Sequence, residues 1–472
     1  MAETRTAGVM AAIRAQVASR ALARGDRLPS IRRQAASMGL SPSTVAEAYD
    51  RLVAEGLIRA RPGSGFYVAG TAPPPLALAE AGPRRNRAVD PFWVSRQGLE
   101  AEAHVLRPGC GWLPPAWMPQ AALRRGFRAL ARSSDAVLAD YGPPRGAAAL
   151  RRLLAARFAE EGLDIAPDHL LLAASGTQAI DLICRFLLRP GDTVLLDDPC
   201  YFNFQALLRA HPVRVLGVPY TRSGPDLTAF ATLLREERPR LYLTNAALHN
   251  PTGATLSAQA AHRLLALAAS HDLTIVEDDI FADFEPDPSP RLAVLDGLSR
   301  VIRIGSFSKT LSASLRCGYI AARPDWIEGL IDLQIATGFG GPSPIATEVI
   351  AGILSAGGYR RHLEALRHRL TRARRETAGR LEALGIRPWL SPRGGFYLWC
   401  TLPEGQDATA LAQAAMAEHV MLAPGNAFSL SGTAAGYLRF NVAQSADPRL
   451  FEVLRRTLRE PRRPGQEAPG TT

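Results

Sequence analysis

Beyond residue 170 the chain alternates short, continuous runs of apolar residues with stretches of helical periodicity. A strand with one solvated face would alternate apolar and polar residues, so uniformly apolar runs are expected to be strands buried on both faces. This pattern predicts an α/β fold with a mainly parallel sheet covered by helices, in which functional groups gather at the strand ends. The predicted strands are residues 170–173, 193–196, 213–218, 241–243, 273–276, 301–304 and 317–321.

The first seventy residues have a different, mostly helical pattern. Ser30 can cap one helix, and Gly39 is a natural stop for it. Ser41 can cap the next helix, and Pro42 occupies its first turn. Two short helices across so tight a turn are typical of a helix-turn-helix. The predicted helices cover residues 11–23, 31–38 and 42–55.

Two short strands are predicted after these helices, over residues 57–61 and 66–68. Residues 62–65, Pro-Gly-Ser-Gly, can form the turn between them. The segment is therefore expected to be α+β, with a hairpin that forms a wing beside the helix-turn-helix.

Composition narrows the class of protein. The chain has 472 residues, 47% of them hydrophobic and 21% charged, which suits a folded chain of about three domains or two large ones. Its net charge of +11 would suit a nucleic-acid partner, although the location of the charge must decide. The five cysteines are scattered without a CxxC pair, which argues against a disulfide framework or a zinc site. With neither a signal peptide nor a membrane-spanning apolar stretch, a cytoplasmic protein is expected.

One lysine stands out: Lys309 is the only lysine in the chain, and the other 54 of the 55 Lys and Arg side chains are arginine. Arginine can replace lysine wherever only a positive charge is needed. Of the two residues, only lysine can lose a proton and attack a carbonyl to form a Schiff base. A single retained lysine therefore predicts a covalent role for its amine.

The residues at the other strand ends predict what that amine binds, which is pyridoxal 5'-phosphate. A phosphate would be bound by the helix start at Gly176, Thr177 and Gln178. A carboxylate paired with the pyridine nitrogen makes the ring an electron sink; Asp278 is the candidate, and Asp279 competes for the role. The remaining predicted cofactor contacts are the hydroxyls of Thr177, Ser306 and Ser308 on the phosphate, Arg316 as a phosphate clamp, Tyr201 stacked on the ring and Asn250 on the phenolic oxygen.

Segment composition also predicts the domain boundaries. Residues 1–70 form the winged helix-turn-helix, and the Pro- and Ala-rich residues 71–95 form a linker. Residues 96–460 form the α/β domain, with a smaller α+β subdomain mainly over 324–460. Residues 461–472 are expected to be a disordered tail.

The N-terminal segment resembles the winged helix-turn-helix of the GntR family of bacterial repressors. The matching residues are Leu28-Pro29-Ser30, Gly39-Leu40-Ser41, Thr44-Val45, Ala48-Tyr49, Leu52, residues 55–58 and residues 63–65. The resemblance implies that Arg32, Ser41, Ser43 and Thr44 face DNA, and that Arg59, Arg61 and the tip of Gly63, Ser64 and Gly65 contact phosphates or the minor groove. Pro42 stands where many members carry a base-reading arginine, so direct readout is expected to be weaker or shifted.

The larger region resembles a fold-type I, class I aminotransferase. The matching motifs are residues 141–146, 250–253, 306–309, 316–319, 394–399, 424–428 and 438–443. The resemblance implies that Tyr141 reaches the cofactor phosphate of a partner subunit, and therefore a homodimer with shared sites. It also implies that Arg439 binds the α-carboxylate of an amino acid. Phe281 departs from the family's tyrosine, and loss of that hydroxyl should raise the pKa of the Schiff base and lower catalytic power.

Together the two halves resemble the MocR family of bacterial transcription regulators. The resemblance implies that the winged helix binds double-stranded promoter DNA, and that pyridoxal phosphate, with an amino compound as effector, changes how the dimer binds it. An amine would take the place of Lys309 on the cofactor, and closure of the small domain would move the DNA-binding heads. The alternative is an active aminotransferase with an appended DNA-binding domain. A DNA-binding protein with a cofactor-free dimerisation scaffold is disfavoured by Lys309.

Overall fold

The chain divides into two compact units, Met1–Arg87 and Ala88–Thr472. The computed structural model describes residues 4–19, 21–23, 25–69 and 91–459. The predicted disordered tail and most of the predicted linker therefore lie outside the described residues.

The first unit has the predicted order of helices followed by a hairpin. Its first helix begins and ends earlier than predicted from residues 11–23, because the Thr4 hydroxyl accepts a hydrogen bond from the Ala7 N–H at 3.3 Å and starts the helix there. Val9 and Ile13 lie one turn apart on the same face of this helix, and both are buried. The elements are α1 (Arg5–Ala18), α2 (Ile31–Met38), α3 (Pro42–Ala54), β1 (Ile58–Arg61) and β2 (Gly65–Val68).

The core of this unit is built around α3. Val45, Tyr49 and Leu52 lie on one face of that helix and are fully buried. The Tyr49 hydroxyl donates to the Pro29 carbonyl at 3.0 Å, and its ring lies edge-on to Phe66 of the hairpin, 4.9 Å between centroids. The core thereby joins the turn, α3 and the hairpin.

The second unit combines one large mixed sheet with a smaller antiparallel sheet. Its helices are α4 (Pro91–Glu100), α5 (Gln120–Leu130), α6 (Asp135–Ala139), α7 (Ala148–Glu160), α8 (Gly176–Leu187), α9 (Phe202–Leu208), α10 (Leu227–Glu237), α11 (Ala258–Ser270), α12 (Leu292–Asp296), α13 (Pro324–Gly338), α14 (Pro344–Ser355), α15 (Gly358–Glu382), α16 (Ala408–Ala417) and α17 (Pro448–Arg459). Its strands are β3 (Leu170–Ala173), β4 (Thr193–Asp198), β5 (Arg214–Thr221), β6 (Gly224–Pro225), β7 (Leu241–Thr244), β8 (Thr274–Asp278), β9 (Val301–Ser306), β10 (Gly318–Ala321), β11 (Arg387–Pro388), β12 (Tyr397–Thr401), β13 (Ala423–Pro424) and β14 (Tyr437–Asn441).

The large sheet confirms the predicted α/β fold. In the described residues its strand order is β3-β10-β9-β8-β7-β4-β5-β6. Strands β9, β8, β7, β4 and β5 run parallel, whereas β10 is antiparallel to both its neighbours and β6 is antiparallel to β5. Ile275 and Val301 pack into the apolar cluster on one face, and Val276 and Ile302 into the cluster on the other. Burial on both faces explains why the strand sequences are continuously apolar.

The small sheet, with the order β11-β12-β14-β13, carries a separate apolar core that includes Phe396 and Phe440. The range predicted for the small subdomain, mainly residues 324–460, also contains two helices that pack on the large sheet. Helices α13 and α14 pack on the core of the large sheet, through Ile327 and Val349 respectively, because their apolar faces meet α8 and α7. The division falls within α15, whose early residues pack on the large core and whose later residues pack on the small one.

The predicted linker, residues 71–95, overlaps a helix of the second unit. Helix α4 begins at Pro91, and Val94 is buried with Trp399 and Phe428. No helix in the described part of the chain is long and apolar enough to cross a membrane. All five cysteines are buried as free thiols.

Candidate cofactor and ligand site

Lys309 lies just beyond the carboxyl end of β9, where the parallel-strand pattern predicts functional groups. Its Nζ donates a hydrogen bond to the Gly111 carbonyl at 2.6 Å. Burial lowers the pKa of Lys309 from 10.5 to about 8, and the nearby charges of Arg439 and Arg316 also lower it. A larger fraction of this amine is therefore in the neutral, nucleophilic form at neutral pH than of an ordinary lysine.

Asp278 and Asp279 point into different environments, because consecutive strand residues face opposite sides. Burial raises the pKa of Asp278 from 3.8 to about 7, and the positive charge of Lys309 acts on it in the opposite direction. The Asp279 carboxylate instead forms buried ion pairs with Arg291, at 2.8 Å, and with Arg303, at 2.5 Å. Only Asp278 shares an environment with the lysine.

A helix N-terminus and two serine hydroxyls meet beside Lys309. Helix α8 begins at Gly176, and a Cβ placed there would lie 3.9 Å from the Ser306 Cβ. The Ser306 and Ser308 hydroxyls are 2.7 Å apart. The exposed Arg316 is close enough for its charge to lower the pKa of Lys309. N–H groups at a helix start, hydroxyls and a guanidinium are the kinds of donor that bind a phosphate.

Gln178 and Thr177, two residues of the predicted phosphate site, have side chains with different partners. The Gln178 N–H donates to the Ser175 hydroxyl at 3.0 Å, and the Gln178 side-chain carbonyl accepts from the Ala174 N–H at 2.6 Å. The Gln178 side chain therefore stabilises the strand-to-helix turn from within. Thr177 is exposed, with its hydroxyl 3.4 Å from the Asn203 amide that donates to it.

Arg439 is the most deeply buried cation of the site, with 0% of its surface exposed. It donates to the Asn250 side-chain carbonyl at 2.8 Å and to the Gly109 carbonyl at 2.7 Å, while its Nε has no partner in the described residues. Its guanidinium carbon lies 4.2 Å from the ring centre of Tyr397 and 4.7 Å from that of Phe428. A buried guanidinium with an unused donor is suited to binding a carboxylate.

Tyr201 and Tyr141 lie in opposite settings. Tyr201 immediately precedes α9, and burial raises its pKa, with the charges of Arg439 and Asp278 also acting on it. It therefore lies among the residues around Lys309. Tyr141 is 80% exposed, and its ring packs edge-on against the exposed Phe339, 5.0 Å between ring centres.

The segment Gly109-Cys110-Gly111 belongs to the site, and sequence reasoning missed it. Its two glycine carbonyls accept from Arg439 and Lys309. A Cβ at Gly109 would lie 2.5 Å from the Leu422 carbonyl carbon, so the segment can pass there only with glycine. Asn441 anchors it by donating to the Cys110 carbonyl at 3.2 Å and, just beyond the segment, to the Trp112 carbonyl at 2.7 Å. Only the closely spaced glycines in the sequence could have drawn attention to it.

On the first unit, the predicted DNA-contact residues lie on the surface. Ser41 caps α3, and its hydroxyl is 2.9 Å from that of Ser43 and 2.8 Å from that of Thr44. Ser41 and Ser43 are exposed and Thr44 is half-buried, as expected for the start of a recognition helix. Arg32, on the preceding helix, is exposed as well.

The hairpin carries a second group of such residues. Arg59 and Arg61 are exposed on β1, and the Arg61 guanidinium lies 4.6 Å from the Tyr67 ring centre. The Ser64 and Tyr67 hydroxyls are 2.6 Å apart, which closes the tip between Gly63 and Gly65. Both glycines have positive φ, 71° and 104°, which only glycine adopts readily.

Arg27 is a basic residue of the hairpin surface that sequence reasoning missed. It pairs with Tyr67 through an isolated antiparallel bridge, and its Nε would lie 3.5 Å from a Cβ at Gly65. Its place beside the tip depends on this non-local pairing, so its position in the sequence did not indicate it.

The chain is similar to two protein families over different ranges. Residues 113–456 match aminotransferase class I and II, and residues 5–68 match the gntR family of bacterial regulatory proteins. The HTH-type transcriptional regulator YdcR of Escherichia coli is 31% identical over 444 residues, which cover 91% of this chain and 93% of YdcR. A 2-aminoadipate transaminase of Thermus thermophilus is 32% identical over 74% of this chain and 89% of its own length.

Among solved structures, the chain is similar to LysN, an α-aminoadipate aminotransferase from Thermus thermophilus complexed with N-(5'-phosphopyridoxyl)-L-leucine. The TM-score is 0.69 at 28% sequence identity, and the match covers 78% of this chain and 93% of LysN.

Proposed function

The chain belongs to the class I and II aminotransferase family and carries a gntR-family region at its N-terminus, the MocR architecture, and we propose that it is a transcription regulator that depends on pyridoxal phosphate. In this proposal the winged helix binds promoter DNA, and the second unit senses the cofactor, an amino compound or both. The observation that carries it is the position of Lys309: the only lysine of the chain is half-buried, within reach of the charges of Asp278 and Arg439, in the same polypeptide as a winged helix.

The donor set around Lys309 fits pyridoxal phosphate. The lysine amine, with its lowered pKa, would hold the aldehyde carbon, and Asp278 would face the ring nitrogen. The start of α8 with Ser306, Ser308 and Arg316 would hold the phosphate, as the donors beside the lysine support. Tyr201 would pack on the ring, and Asn250, whose carbonyl is engaged by Arg439, would donate its amide N–H₂ to the phenolic oxygen. Bound this way, the cofactor supplies an electrophilic carbon for amines.

The small-molecule partner would be an amino acid or a related amine. Arg439 would anchor its carboxylate through the guanidinium, whose Nε has no partner in the part of the chain that the structure describes. The amine of the effector would then compete with Lys309 for the cofactor. For this competition to alter DNA binding, the effector must bind the two arrangements of the protein with different affinity.

Phe281 favours sensing over turnover. It is 3% exposed and packs edge-on against Phe396 and Tyr397, each 5.6 Å away between ring centres. A tyrosine at this position would bring a hydroxyl to the cofactor's phenolic oxygen, and phenylalanine cannot. The site would keep its binding groups while lacking one group that assists proton transfer.

Tyr141 supports the homodimer with shared sites. An aromatic side chain that is 80% exposed beside Phe339, 68% exposed, forms an apolar surface suited to burial against another subunit. In the dimer Tyr141 would reach the phosphate group held by the partner. The double-stranded DNA partner would be contacted by the start of α3 and by Arg59 and Arg61 at the wing.

The test combines two measurements on the full-length protein with bound cofactor. Visible absorbance is followed while a panel of amino acids is added, and footprinting is repeated with and without each amino acid that responds, on DNA selected from a random-sequence pool. A lasting spectral change together with altered protection supports the sensor. Protection that is the same with every amino acid contradicts it.

Aminotransferase activity is the second candidate function. The presence of Lys309, Asp278 and Arg439 in one site favours it, as does similarity to a transaminase of Thermus thermophilus. Conversion of the cofactor to its pyridoxamine form, reversed by a 2-oxo acid, would establish turnover. A spectral change that no 2-oxo acid reverses would exclude it.

A further inference from the structure

Tyr397 lies in the ligand site, and neither the predicted cofactor contacts nor the carboxylate anchor includes it. It begins β12 and pairs with Asn441 of β14, two residues from Arg439. Only 4% of its surface is exposed, and its ring covers the guanidinium of Arg439, 4.2 Å from ring centre to guanidinium carbon. Such stacking orients both side chains.

The ring directs the Tyr397 hydroxyl toward the space beside Lys309. The hydroxyl oxygen would lie 3.3 Å from a Cβ at Gly111, and the Gly111 carbonyl accepts the lysine amine at 2.6 Å. The hydroxyl therefore lies beside the residue that contacts the lysine amine, on a ring that covers the Arg439 guanidinium. Arg439 is proposed to anchor a carboxylate, and Lys309 is proposed to compete with an amine. An amino acid carries these two functional groups on a single carbon.

No hydrogen bond joins the Tyr397 hydroxyl to a residue in the described ranges, and its oxygen is not fully enclosed by protein although most of the side chain is buried. The hydroxyl therefore opens onto the space of the site. A group bound there can accept a hydrogen bond from it.

Burial raises the pKa of Tyr397 well above its ordinary value of 10. The hydroxyl thus keeps its proton at neutral pH and can donate it. The neighbouring Phe281 has no hydroxyl, so within this aromatic cluster Tyr397 provides the donor.

We propose that Tyr397 is a specificity-determining residue that donates a hydrogen bond to the carboxylate of the amino compound anchored by Arg439. The protein would then select amino acids over the amines derived from them by decarboxylation. This inference rests on the proposed function, since it assigns a second recognition group to the effector site.

The experiment uses two stable adducts, N-(5'-phosphopyridoxyl)-L-alanine and N-(5'-phosphopyridoxyl)-ethylamine, which differ by one carboxylate. Both are titrated calorimetrically into the full-length protein freed of cofactor, as wild type and as Tyr397→Phe. We expect Tyr397→Phe to weaken binding of the alanine adduct about tenfold, as for loss of a hydrogen bond to a charged group. Binding of the ethylamine adduct should change less than about twofold, which also establishes that the variant is folded.

Tyr437→Phe is the matched control, because Tyr437 lies on β14 and stacks on Trp399 rather than on Arg439. It should leave both affinities unchanged. Equal weakening of both adducts by Tyr397→Phe would show a structural role, and no weakening of either would show that the hydroxyl does not contact the ligand; each result overturns the inference. Failure of the proposed function gives a different result. In that case footprinting of the wild-type protein would not change with any amino acid, irrespective of the calorimetric result for Tyr397→Phe.

Discussion

The two units expose their functional groups in opposite ways. The proposed DNA-contact side chains of the first unit come from neighbouring elements, and most of them are exposed. The ligand site of the second unit is buried and joins distant parts of the chain: Lys309 bonds to a residue 198 positions away, and Arg439 to one 330 positions away. A surface that binds DNA needs exposed donors to contact the phosphates, whereas a small-molecule site has stronger electrostatic interactions with its ligand when water is excluded.

This contrast in burial indicates how each region should respond to substitution. On the exposed surface each side chain acts nearly independently, so single changes should have small, additive effects. In the buried site the groups share partners and each depends on its neighbours, so single changes should have large effects. Removal of the lysine should therefore have the most severe consequence, and removal of a wing arginine the mildest.

Lys309→Ala should abolish covalent attachment of pyridoxal phosphate, because the chain contains no other lysine to replace it. The visible absorbance of the cofactor should disappear from the purified protein. Lys309→Arg, which keeps the positive charge, should lose it equally. DNA binding of the cofactor-free head should persist in both variants. An Ala variant that remained coloured after dialysis would refute the assignment.

Arg439→Leu should weaken the response to amino acids by about a hundredfold while cofactor binding is retained, because the substitution removes the carboxylate anchor. The measurement is the amino acid concentration at half-maximal change in visible absorbance. Arg303→Leu is unsuitable as a comparison because Arg303 holds a buried ion pair; the exposed Arg372 provides the control as Arg372→Leu. An unchanged half-maximal concentration in Arg439→Leu would place the carboxylate elsewhere.

The rate of cofactor attachment should rise with pH and level off above the pKa of Lys309, lowered to about 8. Only the neutral amine attacks the aldehyde, so below this pKa the protonated fraction is inactive, and the rate should increase about sixteenfold from roughly pH 6.5 to roughly pH 8. Stopped-flow absorbance on the cofactor-free protein measures it. A rate still climbing steeply above roughly pH 9 would mean that the amine keeps its ordinary pKa of 10.5.

Arg59→Ala should weaken DNA binding only severalfold and almost equally for all sequences, because a phosphate contact carries little sequence information. The slope of log affinity against log salt should fall by about one. Fluorescence anisotropy at several salt concentrations measures both quantities, with Arg372→Ala as a control in the other unit. A loss restricted to one DNA sequence would instead indicate that Arg59 reads bases.

Much of the local structure could be predicted from sequence. The caps Ser30 and Ser41, the stop at Gly39 and the continuous apolar strands are found as expected, because each depends on interactions within a few residues. The first helix was predicted too late, since its start depends on a threonine cap outside the region of strongest helical composition. Sequence could not show which core α13 and α14 pack on, since their apolar faces could pack on either.

Residue types and short spacings were enough to predict the kind of chemistry, since one amine, a strand-end carboxylate and a winged helix are all local properties of the chain. Which groups meet was decided by tertiary packing. That packing turned Asp278 toward Lys309 and Asp279 toward two arginines, brought the Gly109–Gly111 carbonyls to Lys309 and Arg439, and left the Tyr397 hydroxyl unpaired beside them in the described residues. The physical reason is that strand order and the packing of one domain on another set contacts between residues hundreds of positions apart, and no local pattern encodes them.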